Sequence, residues 1–211
     1  MVHHPLKYPV NGHRIMVPSE REEAMYAVVF EVLPSETGYQ RYLETAAALR
    51  PKLDVIDGFL SIERFRCVAD PGWILSLSLW RDEAALVRWR GDGEHHAAQA
   101  AGRHAIFDDY RIRVVRMIEG EDRAQGAAIG LHEYPDGAEG RLYESLAMPE
   151  KRIALLDFSA PAQALAWRAA AAAHATAPTR VLCGVVERDY GLFERAQAPQ
   201  YFPAAPMRHA D

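Results

Sequence analysis

Residues 59–90 read FLSIERFRCVADPGWILSLSLWRDEAALVRWR, and three signals in that stretch decide the fold. Phe59–Arg66 reads as a strand, and Asp70-Pro71-Gly72 is a strong turn signal. Trp73–Arg81 is then a second strand. Side chains alternate along an extended chain, so Trp73, Leu75, Leu77 and Leu79 share one face and Ile74, Ser76, Ser78 and Trp80 share the other. The two strands make a hairpin. Asp82–Arg90 follows as a helix, with acids in its first turn where the helix dipole favours them.

The pattern extends in both directions. Upstream, Ala24–Leu33 (AMYAVVFEVL) is rich in β-branched and aromatic residues and stops at Pro34, which predicts a strand. Ser35 is a candidate N-cap for a helix over 36–50, where Tyr39, Tyr42, Leu43, Ala46 and Leu49 recur at spacings of three and four; Pro51 lies near its end. Downstream, Gly91-Asp92-Gly93 breaks the second helix, Glu94–His104 resumes it, and Tyr110–Ile118 alternates as a fourth strand. The order over 24–118 is βαββαβ, the ferredoxin-like unit. Two helices cover one face of its sheet; the other face is bare and needs a partner.

A degenerate repeat supplies that partner. VRWRGDGEHH at 87–96 and LAWRAAAAAH at 165–174 both read W-R-x5-H, with Trp89 and Trp167 78 residues apart. The same shift places Trp80 on Phe158, and a shift of 80 places Asp109-Tyr110 on Asp189-Tyr190. The second copy predicts strands at Ala127–Tyr134, Arg141–Ala147, Arg152–Phe158 and Thr179–Tyr190, with one helix over 160–174. Its first helix is replaced by Pro135–Gly140. The expected fold is therefore α+β: tandem ferredoxin-like units forming an α/β barrel, the second truncated. The expected organisation is an N-terminal arm over 1–23, the first unit over 24–118, the repeat over 127–193 and a Pro-rich tail over 194–211. The halves are expected to pair within one chain, with Phe158 and the Ile153/Leu155 face meeting the first sheet. A homodimer is a further level of assembly open to such a chain.

Composition narrows the partners. The 211 residues are 49% hydrophobic and 25% charged, enough for a core, and the net charge of −5 gives no general affinity for nucleic acid or an anionic membrane. Two cysteines, Cys67 and Cys183, make neither a disulfide framework nor a four-cysteine zinc site. The opening MVHHPLKYPVNGHR lacks the apolar core of a signal peptide, and no uncharged apolar stretch approaches the roughly 18 residues of a membrane span. A soluble protein of a reducing cytoplasm is expected. None of the nine histidines makes HExxH or another established ligand pair, and no nucleotide-binding glycine motif is present, so neither a metal nor a cofactor is expected.

Chemistry gathers around the second helix: Trp80, Trp89, His95, Gln99, Arg103 and Tyr110. The tryptophans alone read equally as core. Taken together, the set predicts an apolar pocket with a few polar groups, suited to a flat aromatic ligand, with Tyr39 and Tyr42 closing it from the first helix. Seven residues, two helical turns, put His96 on the face of Trp89 and rotate His95 off it, although the Gly-Asp-Gly break can re-aim either. The mostly alanine helix of the second half leaves little room, so the pocket is expected once per chain, within 24–118.

The segments FEVLPSETG, LRPKLDVIDGFLSIERF, ILSLSLWRDEAALVRWR, EHHAAQ and GRHAIFDDYRIRV together resemble the antibiotic biosynthesis monooxygenase family of dimeric α/β-barrel proteins. The resemblance implies sheets paired into a barrel and cofactor-free oxygenation of polycyclic phenols or anthrones to quinones. The family's usual His, six residues after the helix Trp, matches His95. A related haem-degrading branch uses an Asn on the first strand and a His nine or ten residues after the Trp. Here AVVFEVL has no Asn, and Ala98 and Gln99 stand at those later positions. Haem degradation is thus disfavoured. By this resemblance His95 or His96 is the candidate base, Trp89 a wall of the site, and Arg103 or Tyr110 an anion stabiliser. The competing expectation is a barrel that binds a small molecule, or answers stress, without catalysis.

Overall fold

In the computed structural model, residues 24–120, 122–133, 139–148, 150–174 and 179–199 are described; the expected arm over 1–23, Tyr134, most of 135–140 and the tail beyond 199 lie outside them. The first half runs β1 Tyr26–Pro34, α1 Gly38–Asp54, β2 Phe59–Cys67, β3 Ile74–Trp80, α2 Glu83–Arg90, α3 Gly93–Ala101 and β4 Phe107–Met117. The second runs β5 Ala128–Glu133, β6 Arg141–Ser145, β7 Arg152–Phe158, α4 Pro161–His174 and β8 Val181–Gly191. Ser35 does not cap α1: its N–H donates to the Ile106 carbonyl at 2.8 Å and Thr37 precedes the helix with no side-chain cap. Pro51 falls inside α1, near its end.

The strands close into one barrel in the order β1-β3-β2-β6-β7-β5-β8-β4. Each half contributes a four-stranded sheet, and the sheets join along two seams. One is β4–β8, with seven paired positions from Arg111↔Gly191 to Met117↔Gly184. The other is β2–β6, with three, from Phe65↔Ser145 to Cys67↔Tyr143. Closure pairs each sheet's outer strand with one of the other half along these seams. It also gives every strand an inside and an outside. Val29, Leu75, Leu77, Leu79, Ile129, Leu131, Ile153 and Leu155 pack in the interior, as the alternation in β3 requires. Phe158 differs from expectation. It shares parity with Ala154 rather than with Ile153 and Leu155, so it points outward and packs with α4.

The repeat is visible in three dimensions, with one exception. Trp80 and Phe158 end equivalent strands, and Trp89 and Trp167 stand on the helices that follow them. The two Asp-Tyr pairs are not equivalent: Tyr110 lies early in β4 and Tyr190 at the end of β8, where Ile112 pairs with Tyr190 across the seam.

Charge fills one part of the interior. Arg113 on β4 is 1% exposed; its Nη2 donates to Glu31 Oε2 on β1 at 2.7 Å, and its Nη1 pairs with Asp157 on β7. Arg141 on β6 reaches both acids, at 2.7 Å to Glu31 and 3.1 Å to Asp157, and Tyr143 donates its hydroxyl to Glu31 Oε1 at 2.7 Å. Two guanidiniums thus balance two carboxylates, with partners from both halves. A second set contains Glu63, which accepts from Ser145 and pairs with Lys151 at 2.6 Å.

Breaking a buried pair by removing one partner costs about 3–5 kcal/mol, because the other charge stays buried. Arg113→Met is therefore expected to lower stability by about that much in urea unfolding, whereas adding Glu31→Leu recovers much of the loss. A single variant as stable as wild type would show that the network contributes nothing. Residues 24–118 expressed alone expose the interior face and should self-associate in sedimentation; a well-behaved monomer would contradict the packing.

Candidate active site

The outer face of the first sheet carries a cavity of about 200 Å3. Its floor is the outward side of the strands: Phe30 on β1, Arg64 on β2, Ser76, Ser78 and Trp80 on β3, and Ile112 on β4. Its cover comes from α1 through Tyr42, Ala46 and Leu49, from α2 through Trp89, and from α3 through His95, Ala98 and Gln99. Tyr190 of β8 completes the lining from the second half.

Two aspartates set the cover. Asp82 caps α2, accepting from the Ala85 amide at 2.6 Å, and Asp92 caps α3, accepting from the His95 amide at 2.9 Å. The break between the helices changes the angular relation that one continuous helix would impose. As a result His95, and not His96, lies on Trp89: the rings are stacked with centroids 4.2 Å apart and planes 20° from parallel. His96 is exposed on α3 and is not part of the lining.

His95 Nδ1 lies 3.2 Å from the Trp89 carbonyl oxygen. A carbonyl only accepts, so this hydrogen bond needs the proton on Nδ1 and leaves the lone pair on Nε2. Burial pulls the imidazole down to about 4, against smaller upward pulls from the Trp89 carbonyl and Asp92. The ring is neutral at physiological pH. Elsewhere Arg64 donates to the Tyr42 hydroxyl at 3.3 Å and sits over its ring, while the Trp80 indole donates to Ser78 at 3.0 Å. The Gln99 side-chain oxygen is buried with no hydrogen-bond partner.

A smaller chamber of about 40 Å3 adjoins the cavity and shares Phe30, Gln99, Phe107, Ile112 and Tyr190 with it. Arg103, Tyr110 and Arg195 are its own. Arg103 is placed there because α3 gives way to one π-helical turn, Gly102–Ile106, a distortion that often marks functional sites. Of the residues singled out from sequence, Tyr42, Trp80, Trp89, His95 and Gln99 line the larger cavity, and Arg103 and Tyr110 only the smaller. Tyr39 lines neither; its hydroxyl accepts from Arg66 at 2.8 Å. Sequence reasoning missed Arg64, Arg90, Ser76, Ser78, Tyr190 and Arg195. The serines had a signal, since alternation puts them on the face of Trp80; Arg195 had none, lying in the stretch read as tail.

In the second half the corresponding space is occupied. Trp167 lies so close over Gly130 that a Cβ there would run into its ring, and Phe158 and His132 pack beside it. Among the described residues no three His, Cys, Asp or Glu side chains stand together as a metal ligand set, and no helix is long and apolar enough to cross a membrane.

The family model for antibiotic biosynthesis monooxygenase matches residues 25–101. Jasmonate monooxygenase ABM of Pyricularia oryzae is 32% identical over 217 aligned positions, covering 86% of this chain and all of that one. The uncharacterized protein YqjZ of Bacillus subtilis is 33% identical over 98, covering 46% of this chain and 82% of that one. Among solved structures, an anthrone oxidase-like protein superposes with a TM-score of 0.36 at 12% identity, covering 88% of this chain and 98% of that one.

The His95 imidazole is charged more readily in the unfolded chain, near pH 6.5, than in the fold, near pH 4. Its contribution is complete above the unfolded value and is lost as pH falls from there towards 4, by roughly 3 kcal/mol. His95→Phe keeps a ring on Trp89 and should lose that part of the pH dependence. Parallel stability–pH curves for the variant and wild type would contradict the assignment.

Proposed function

The chain belongs to the antibiotic biosynthesis monooxygenase family, and on that premise we propose that it oxidises a flat, electron-rich aromatic of the polycyclic phenol or anthrone type with dioxygen and without a cofactor. A monooxygenase-like role goes with the membership; the substrate class is our reading. The observation that carries it is the neutral His95 stacked on Trp89 in the wall of an apolar cavity. Trp89 offers a flat surface for a ring, and His95 offers a lone pair for its proton.

In this reading His95 Nε2 removes a proton from the ring CH2 or phenolic O–H. The anion passes one electron to dioxygen, the two radicals join as a peroxide, and loss of water leaves a carbonyl. For an anthrone the carbon gives up two hydrogens and gains one oxygen atom. The other oxygen atom leaves with those hydrogens as water, so no outside reductant is required. A base as weak as His95 moves a proton only when the anion is stabilised as it forms. Arg64 and Arg90 are among the residues that line the cavity, and Arg103 and Tyr110 lie beyond Gln99. These are the groups able to stabilise it.

Dithranol in an oxygen electrode, with the quinone followed by absorbance, tests the reading. Wild type should consume oxygen faster than buffer, His95→Ala should lose about a hundredfold or more, and His174→Ala, on exposed α4, should change little. Uptake no faster than buffer across a series of anthrones and polycyclic phenols would overturn it and leave a binding barrel without catalysis.

A further inference from the structure

The W-R-x5-H repeat places an arginine in each half, and the two are used differently. In the second half Arg168 donates from Nη1 to the Ile118 carbonyl at 3.0 Å and the Glu119 carbonyl at 3.2 Å, tying α4 to the chain after β4. Its counterpart Arg90, beside Trp89 at the end of α2, is half-buried and lines the larger cavity. Among the described residues its guanidinium makes no hydrogen bond and no ion pair. The neighbouring cations differ: Arg64 donates to Tyr42, and Arg103 and Arg195 both donate to the Tyr110 hydroxyl, at 2.7 and 2.8 Å. No described Asp or Glu lines either chamber. Tyr190 is 8% exposed and lines both, and its hydroxyl has no hydrogen-bond partner among the described residues, although a side chain this buried usually has one. Burial and the adjacent Tyr110 raise that hydroxyl, and the charges of Arg195, Arg188 and Arg90 pull it back.

We propose that Arg90 and Tyr190 hold the ionised oxygen of the substrate, a phenolate or enolate, so that the cavity takes acidic hydroxyarenes in preference to ethers of the same shape. The inference rests on the oxygenase reading of this cavity and answers a difficulty in it. A phenol ordinarily gives up its proton near pH 10, whereas the His95 ring takes one up only at about 4, which leaves a gap of about six pH units. A guanidinium with no carboxylate to satisfy it, in a largely apolar lining, favours the anion and narrows that gap. The phenol O–H bond breaks, its proton goes to His95 Nε2, and the electron pair left on oxygen accepts from Arg90 and Tyr190. For an anthrone the ring C–H bond breaks instead, and the charge appears on the carbonyl oxygen as the enolate. Arg90 comes from α2 and Tyr190 from β8, so the two halves meet at this oxygen.

The test is an absorbance titration of 7-hydroxy-4-methylcoumarin bound to the full chain, since its phenol and phenolate absorb at different wavelengths. The 7-methoxy compound is the matched ether that cannot ionise. The bound dye should ionise at least about one pH unit below the free dye, which means that its phenolate is held about tenfold more tightly than its phenol. Arg90→Gln should return the midpoint to the free value or above it, Arg90→Lys should keep most of the shift, and Tyr190→Phe should lose part of it. The methoxy compound should bind all three variants as it binds wild type, which also reports that they are folded. A bound midpoint at or above that of the free dye, a shift that survives Arg90→Gln, or no saturable binding of either coumarin would overturn the proposal. The titration needs no turnover. A lowered midpoint without oxygen uptake from anthrones supports the anion seat and counts against the oxygenase; uptake with an unshifted midpoint does the reverse.

Discussion

The guanidinium of Arg113 lies inside the barrel, where an uncompensated charge costs several kcal/mol, and the interior is arranged so that it is never left alone. Glu31 comes from its own half; Asp157 comes from the other, and so do Arg141, which pairs with both acids, and Tyr143, which donates to Glu31. An apolar set of equal volume could supply the same or greater stability. What the network adds is register. A one-residue slip of a strand turns every inward side chain outward, and here that would separate two buried charges from their partners as well as exposing leucines. The relative placement of the two sheets, and hence of Tyr190 and Arg195 against the first half, is tied to this set.

The cavity depends on departures from regular helix more than on the sheet. An uninterrupted helix from 83 to 106 would present Trp89 and His96 together and leave Arg103 on a periodic track. Instead Asp92 ends one helix and starts another, bringing His95 onto Trp89. The π-helical turn then widens the backbone where Arg103 must reach Tyr110. Glycine is needed at one of these points. At Gly102 a side chain would collide with the Phe107 ring, which lines both chambers.

How much of this the sequence carried differs by element. The β3 face was readable in full, because Trp73-Ile74-Leu75-Ser76-Leu77-Ser78-Leu79-Trp80 alternates without interruption and alternation is a geometric necessity. The strand at 107–117 began three residues before its pattern did, since Phe107 and Asp108 follow a distortion that has no periodic signature. Phe158 was expected to meet the first sheet with Ile153 and Leu155, although its parity with Ala154 already placed it outside. The candidate site was legible as a neighbourhood: the residues around the second helix do converge. Which histidine turns inward was not, because capping by one aspartate and a two-residue break fix that angle. Arg195 was hidden for another reason. It owes its position to a long-range seam, β4 against β8, and no local pattern announces a contact between positions 110 and 195.

The presence of both sheets on one chain has a consequence for how such a barrel can change. In a symmetric pair of identical subunits every substitution is made twice, so a tryptophan that fills one hollow fills both, and a guanidinium that enters one enters both. Here Trp167 closes the outer face of one sheet over Gly130 while Trp89 leaves the other open. Covalent linkage has decoupled the copies. One is free to accumulate the packing that holds the barrel, and the other to keep polar groups, a broken helix and an empty volume that would be ruinous if duplicated. Specialisation of that kind is open to a single gene carrying both halves and closed to a gene that supplies only one.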